Sequence, residues 1–206
     1  MEDSKRKIII EAATRVFAEK GYQYATMSEI AKESGIATGL TYSYFKNKLD
    51  ILFSIILEFW KEMNQLSKER LPPIRDPFDK LVVVLHNFED LLVKDEHALC
   101  RAKVLHEALP HIVMIKEKDL QEKRQEILAA NKNLLVLIDD IIADGQGRGV
   151  FDDSMTPGVL RQIFFGSIEK VIDGLFFNKL NGQEIGYDRD QAHQAILCLL
   201  EKFVKK

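Results

Sequence analysis

The chain has 206 residues, of which 46% are hydrophobic and 30% are charged, and its formal net charge is −3. These values are typical of a soluble globular protein with enough residues for one large or two small domains. No apolar run approaches the length of a membrane span, and the polar start MEDSKRK is unlike a signal peptide. We therefore expect a cytoplasmic protein in which the two cysteines, Cys100 and Cys198, are buried free thiols.

The charges are unevenly distributed along the chain. Residues 1–48 contain eight Lys and Arg against six Asp and Glu, whereas the rest of the chain contains 21 against 26. A mildly basic module in front of an acidic body favours a protein that touches nucleic acid at one end only.

The first residues predict a helix over residues 4–20 that ends at Gly21. Apolar pairs recur there every four residues and give one broad apolar stripe. The pairs are Ile8-Ile9, Ala12-Ala13 and Val16-Phe17.

The next stretch predicts two short helices joined by a tight turn. Thr26 is a good N-cap, and Glu29 three residues later completes the pattern of a capping box. Gly35 suits the left-handed position that ends such a helix, and a second helix starts near Ala37 or Thr38. This second helix carries hydroxyls, small residues and tyrosines, which suit contacts with phosphates and base edges in the DNA major groove.

Helical periodicity continues to the end of the chain, so the fold class is all-α with about nine helices. Asp76 and Pro77 are expected to cap and begin the fifth helix, and Pro110 is expected to end the sixth. The ranges predicted after the first three helices are 47–70, 77–92, 96–109, 112–144, 157–178 and 188–204. Gly145, Gly147 and Gly149 then form a helix C-cap and loop.

The early stretch resembles the DNA-binding domain of TetR/AcrR-family transcriptional regulators. The residues that match the family pattern are Thr26, Ile30-Ala31, Ser34-Gly35, Ile36, Gly39, Tyr42, Tyr44-Phe45 and Lys48. Two positions depart from it. Ala37 stands where the family usually has Ser, so the cap of the second helix is expected to pass to Thr38. Thr41 stands where the family usually has Leu, Ile or Phe, which weakens the packing of that helix.

The resemblance implies a helix-turn-helix DNA-binding domain over residues 1–48 and a helical ligand-binding and dimerisation domain over residues 49–206. A fourth helix, from about residue 47, connects the two. Phosphate contacts are implied for the positions Thr26, Tyr42, Tyr44 and Lys48. The residues expected to face the groove are Thr38, Gly39, Leu40 and Ser43.

The two C-terminal helices carry apolar residues beyond one narrow stripe, as at Phe164-Phe165 and Leu199-Leu200. Such helices suit either the core or a subunit interface. The family resemblance implies a homodimer through a four-helix bundle of these helices. A dimer could place two recognition helices about 34–36 Å apart on successive major-groove turns of a palindrome.

The middle of the chain is the expected place for a small-molecule effector, since bundle interiors recurrently hold ligands. The candidate ligand-binding residues are Phe88, Leu92, Arg101, Val104, Leu105, His106, Asn133, Phe164 and Ile168. Every apolar member of this set is equally explicable as core packing. The run FDDSMTPGVLRQIFFGSIEKVIDG is similar to family members that regulate fatty-acid breakdown and respond to long-chain acyl-CoA.

The expected function is therefore a ligand-responsive transcriptional repressor that binds a palindromic double-stranded operator and is released by a small hydrophobic effector. The alternative is a helical ligand-binding or adaptor protein whose head has lost DNA binding. An enzyme is not expected, because no catalytic constellation is evident. His106-Glu107 begins a zinc-protease pattern, but Pro110 occupies the place of the second histidine, so neither a metal nor a cofactor is expected.

Overall fold

The computed structural model describes residues 2–112, 120–181 and 186–204. Within these ranges the chain folds into nine α-helices, which confirms the predicted all-α class. They are α1 (Glu2–Lys20), α2 (Met27–Ser34), α3 (Thr38–Tyr44), α4 (Lys48–Arg70), α5 (Pro77–Leu92), α6 (Glu96–Ile112), α7 (Gln121–Gly147), α8 (Pro157–Asn181) and α9 (Arg189–Val204). Among these helices, none is both long enough and apolar enough to cross a membrane.

The helices divide into two compact units. The first unit consists of Met1–Lys61 and Lys94–Ala130, and the second consists of Glu62–Val93 and Asn131–Lys206. Two helices, α4 and α7, each contribute residues to both units. The predicted boundary between a DNA-binding and a ligand-binding domain at residue 48 stays a prediction.

The first unit is built around the apolar stripe of α1, which packs on α2 and α6. Ile9, Ala13 and Phe17 are buried as the four-residue spacing predicted. Two lysines attach the later helices of this unit to the earlier ones. Lys103 on α6 donates to the carbonyl of Ala18, and Lys123 on α7 donates to Asp50 and Ser54 at the start of α4.

The second unit has its own apolar core. Its buried residues include Leu85, Phe88, Leu134, Ile138, Phe164, Ile168, Ile196 and Leu200, which come from α5, α7, α8 and α9. One buried polar group is held inside: Asn87 accepts a hydrogen bond from Arg70 Nη1 at 2.9 Å. Satisfying this amide avoids the cost of a buried unpaired polar group.

Several helix ends differ from the prediction. Pro110 does not end α6, which continues to Ile112. A proline lacks the backbone N–H that would donate within the helix, yet two more residues after Pro110 are helical. The next helix is described from Gln121, and the part predicted over residues 113–119 lies outside the described residues. It runs on to Gly147, and Gly149 just after it has the left-handed φ of 70°. The ring of Phe151 packs where Gly145 lacks a side chain.

The caps explain where two other helices begin. Asp76 accepts hydrogen bonds from the amides of Phe78 and Asp79, with Pro77 in the first turn, as predicted. Asp188 and Gln191 cap α9 reciprocally, at 2.8 and 2.9 Å. The cap of α9 was not among the predicted features.

The prediction of two buried cysteines is wrong. Both are thiols rather than disulfide partners, but Cys198 is exposed and Cys100 is only half-buried. Cys198 lies on α9 two residues before the buried Leu200, so it points away from the side of the helix that faces the core.

Candidate nucleic-acid interface

The start of the interface is fixed by the cap of α2. Thr26 Oγ1 accepts a hydrogen bond from the Glu29 amide, and the Glu29 carboxylate accepts one from the Thr26 amide. The predicted capping box is therefore confirmed. At the other end Gly35 adopts the left-handed conformation, with φ of 66°, also as predicted. The amide of Ile36 then binds the carbonyl of Ala31 at 3.1 Å and closes the turn into α3.

The helix α3 is held by one buried side and leaves the other side open. Thr41 is 0% exposed, and Phe45, directly after the helix, is 2% exposed. The N-cap of α3 is Ala37, which makes no side-chain cap hydrogen bond. The expectation that the cap passes to Thr38 is therefore wrong: Thr38 already has helical geometry as the first residue of α3.

The open side of α3 carries the residues that the sequence predicted to face a groove. Thr38, Gly39, Leu40 and Ser43 are all exposed, and so is Tyr42, one of the predicted phosphate contacts. Tyr42 is 52% exposed, which leaves its hydroxyl accessible to a phosphate. No atom lies within 4 Å of where a Cβ on Gly39 would be, so this part of the helix backbone is open to close approach.

Tyr44 and Lys48 are less accessible than the α3 surface. Tyr44 is half-buried. The ammonium of Lys48 donates to the carbonyls of Tyr22, Gln23 and Ala25 at 2.8, 2.9 and 3.1 Å. These three bonds use every donor of the ammonium and order the loop between α1 and α2. A phosphate contact from Lys48 stays a prediction.

The loop that Lys48 orders presents a residue that the sequence reading missed. Tyr24 is 82% exposed, more than any other large apolar residue described as exposed. Its neighbour Thr26, one of the predicted phosphate contacts, is exposed as well. The signal that could have found Tyr24 is an aromatic residue in a short connection, two residues before a helix cap.

The carboxylate of the capping box also pairs with a cation. Lys20 at the end of α1 lies 2.6 Å from Glu29. The hydrogen bonds from Lys20 and Thr26 lower the pKa of Glu29 to about 2. The same interaction raises the pKa of Lys20. At neutral pH both groups are therefore charged, and the pair fixes α2 to the end of α1.

The predicted effector residues fall into both units. Arg101, Val104, Leu105 and His106 belong to the first unit, whereas Phe88, Leu92, Asn133, Phe164 and Ile168 belong to the second. All the apolar members of the set are buried, but His106 and Asn133 are exposed. Phe88 and Phe164 each lie close to Phe165, with ring centroids 5.1 and 5.8 Å apart. The aromatic members in the second unit therefore form one cluster.

A capped helix, a glycine turn and a short exposed helix define a helix-turn-helix protein. Comparison with known families specifies the class further. The family described as "Bacterial regulatory proteins, tetR family" matches residues 9–55, and the family "YsiA-like protein, C-terminal region" matches residues 59–196. The chain belongs to the TetR family: it is a helix-turn-helix, ligand-responsive transcriptional regulator of the repressor type.

Several similar proteins have names that refer to fatty-acid metabolism. The chain is similar to the fatty acid metabolism regulator protein of Bacillus subtilis (strain 168), with 31% identity over 80% of this chain and 79% of the relative. The structure of FadR from Bacillus subtilis in complex with stearoyl-CoA is 30% identical, with a TM-score of 0.69 over 94% of this chain and 96% of that one. The fatty acid degradation regulator FadR from Bacillus halodurans is 26% identical, with a TM-score of 0.71 over 95% and 94% of the two chains.

Proposed function

We propose that this regulator is a homodimeric repressor whose effector is a long-chain fatty acyl-CoA. The observation that carries the proposal is the 31% identity, over 80% of the chain, to the fatty acid metabolism regulator of Bacillus subtilis. The 30% identity to the FadR structure that holds stearoyl-CoA supports the class of effector. Because that likeness spans 94% of the chain, it includes the C-terminal region as well as the DNA-binding head.

In this proposal α3 enters the major groove of a palindromic operator. Thr38, Gly39, Leu40 and Ser43 face the base edges, and the hydroxyls of Tyr42 and Tyr44 bind phosphates. The hydroxyl of Thr26 donates to the Glu29 carboxylate at 2.9 Å, so its phosphate contact requires that this bond opens. The exposure of α3 and of Tyr42 supports these assignments. A homodimer through α8 and α9 supplies the second α3 for the other half of the palindrome.

The effector acts by favouring a conformation in which the two heads no longer fit successive grooves. Such a switch requires that acyl-CoA and operator have different affinities for the two states. The effector is bound and not converted, so its thioester stays intact. The repressor works in the cytoplasm, where the operator and acyl-CoA are both available.

The acyl chain enters the apolar interior of the second unit, beside the aromatic cluster of Phe88, Phe164 and Phe165. The space next to Phe164 is about 10 Å³, so this core has to open when the chain binds. A cavity of about 370 Å³ lies elsewhere in the same unit, within the range of small-molecule sites. Its walls include Leu71, Ile74, Leu137 and Ile141, with Lys68 and Lys80 beside them. Two ammonium groups next to an apolar cavity suit the phosphates of a coenzyme A moiety.

A binding scan of genomic fragments, including the region upstream of the gene, tests the proposal. With the purified chain at low salt, we expect one palindromic site that is released by stearoyl-CoA but not by coenzyme A alone. If operator binding is unchanged by every acyl-CoA, the chain would still be a DNA-binding repressor, but acyl-CoA would be excluded as its effector. The absence of any site would refute operator binding and favour the adaptor alternative.

The assignment of Tyr42 is tested on the operator so found. Tyr42→Phe removes one hydroxyl per subunit and should weaken binding about 10- to 150-fold for each hydrogen bond to a charged group that is lost. Tyr187→Phe, a change of the same kind in the second unit, should leave the affinity unchanged. Equal affinities for the two variants would refute the phosphate contact.

A further inference from the structure

Two imidazoles and one carboxylate come together in the second unit. His86 and Glu89 lie one turn apart on α5, and His193 lies on α9. One ligand atom from each of the three side chains lies within 4.8 Å of the other two. The sequence could not reveal this cluster, because His193 and Glu89 are 104 positions apart.

The three side chains already contact one another. The Nδ1 of His193 lies 2.6 Å from Glu89 Oε1, in a half-buried position. The ring of His86 stacks on that of His193, with centroids 5.2 Å apart and planes 10° apart. His86 is exposed on its other side, so its ring can rotate about the side-chain bonds without displacing the core.

We propose that His86, Glu89 and His193 form a binding site for a divalent transition-metal ion, with Zn²⁺ as the preferred ion. Two imidazole nitrogens and one carboxylate oxygen are a ligand set that Zn²⁺ takes in proteins, with water at the fourth position. Three such ligands around a tetrahedral ion lie about 3.3 Å from one another. In the cluster the ligand atoms lie within 4.8 Å of one another, and His193 Nδ1 lies 2.6 Å from Glu89 Oε1. To reach about 3.3 Å around an ion, His86 has to rotate and the pair of Glu89 and His193 has to open slightly.

The ligand set also decides against other ions. Ca²⁺ and Mg²⁺ prefer a shell made of oxygen ligands, and this cluster offers only one carboxylate. Cu(I) prefers thiolate or thioether ligands, and the three groups here contain no sulfur. Imidazole nitrogen with one carboxylate is most typical of zinc and its neighbours in the first transition row.

The bound ion would connect α5 to α9. The unfolded chain holds no preformed site, so ion binding stabilises the folded state in proportion to its affinity. The site therefore gives the second unit a metal-dependent stability. This inference does not rest on the proposed function, because neither operator nor effector takes part in it.

The test uses the full-length chain after treatment with EDTA and dialysis. Zn²⁺ is added in competition with a chromophoric indicator, and the melting temperature is measured with and without one equivalent. We expect one Zn²⁺ per chain and a higher melting temperature in its presence. His86→Asn and His193→Asn should each weaken binding about 100-fold or more, since loss of an outer-shell partner alone costs roughly 10- to 100-fold.

His97→Asn is the matched control, because His97 lies in the first unit and does not belong to a group of possible metal ligands among the described residues. It should bind Zn²⁺ as the original chain does. Circular dichroism checks that the variants are folded, and His86→Asn, on the surface, carries the least risk. The proposal is overturned if the original chain leaves all Zn²⁺ on the indicator. It is equally overturned if both ligand variants bind like the original chain, or if the control abolishes binding.

Discussion

Thr26 and Glu29 cap each other: the Thr26 amide lies 3.0 Å from the Glu29 carboxylate, and the Glu29 amide lies 3.2 Å from the Thr26 hydroxyl. The same carboxylate binds Lys20 at the end of α1, at 2.6 Å. One side chain therefore fixes both the start of α2 and its connection to α1. This places the turn into α3, which bears the proposed DNA contacts.

The charge of Glu29 predicts a dependence of stability on pH. Its pKa is lowered from 4.5 to about 2 on folding, chiefly by the hydrogen bond to Lys20 and then by those to Thr26. A carboxyl whose pKa is lowered stabilises the fold above its unfolded pKa, and this contribution is lost as pH falls through the folded value. Glu29→Gln should therefore be less stable than the original chain at pH 7, by a difference that shrinks between pH 4.5 and 2.

Urea unfolding followed by circular dichroism at a series of pH values measures this difference. The difference in stability between Lys20→Met and the original chain should change with pH in much the same way, because this variant lacks the largest cause of the lowered pKa of Glu29. A difference between Glu29→Gln and the original chain that stays constant over this pH range would contradict the account.

Thr41 predicts a stabilising substitution in α3. Its side chain is 0% exposed, and its hydroxyl donates to the Ala37 carbonyl at 3.3 Å. That carbonyl already accepts the Thr41 amide at 2.9 Å, so it keeps a partner without the hydroxyl. Thr41→Val should raise the free energy of unfolding by about 0.5–1 kcal/mol, because a methyl replaces a weakly bonded hydroxyl in the core.

Thr41→Ser is the matched control, since it keeps the hydroxyl and removes the methyl. It should lower the free energy of unfolding by about 1 kcal/mol. Chemical denaturation of the three proteins measures both effects. A valine variant less stable than the original chain would show that the hydroxyl has a partner more important than Ala37.

The contacts of Lys48 predict that its removal lowers the stability of the fold but leaves the salt dependence of DNA binding unchanged. Its ammonium donates to three carbonyls of the loop between α1 and α2 and lies 4.7 Å from the centre of the Tyr22 ring. Lys48→Met should cost about 1–2 kcal/mol of unfolding free energy, as expected for hydrogen bonds from a charged donor in a partly exposed site.

The salt dependence of operator binding then shows whether Lys48 also neutralises a phosphate. A direct phosphate contact would make the slope of log affinity against log salt shallower by about 1 for each lysine removed, and so by about 2 for a homodimer. Because the three carbonyls occupy the ammonium, we expect the slope to stay the same, in contrast to the phosphate contact that the family resemblance implies. A slope reduced by about two units would restore that contact.

Gly145 and Gly147 predict opposite responses to the same substitution in α7. A Cβ on Gly145 would lie 2.1 Å from Cδ2 of Phe151, whose side chain is fully buried. Gly145→Ala should therefore destabilise the fold by about 2 kcal/mol or more, because the buried ring has to move. Gly147 has no atom within 4 Å of a Cβ, so Gly147→Ala should be neutral or stabilising by up to about 1 kcal/mol. Thermal unfolding compares the two, and equal effects would contradict the packing of Phe151.

Local signals in the sequence were sufficient where the structure depends on neighbouring residues. The capping box of Thr26 and Glu29, the left-handed Gly35 and the cap at Asp76 were all predicted from spacings of a few positions. The exposed side of α3 followed from the same reasoning and from the family resemblance. The predicted end of α6 was too early, because the preference of proline against a helix interior did not stop the helix at Pro110.

Other features depend on residues that are far apart in the chain and have no local signal. Lys123 binds Asp50 across 73 positions, and Lys103 binds the carbonyl of Ala18 across 85 positions. The predicted effector residues show the same limit. Periodicity identified their apolar members as buried, but it could not distribute them between two units or show that Asn133 is exposed.

The most direct test of the central claim is the operator affinity of the full-length chain with and without saturating stearoyl-CoA, at one fixed salt concentration. The account predicts that stearoyl-CoA weakens operator binding at least about tenfold, and that operator weakens stearoyl-CoA binding by the same factor, as linkage requires. Equal operator affinities in the two conditions, from a chain shown to bind stearoyl-CoA, would contradict the claim that acyl-CoA is the effector.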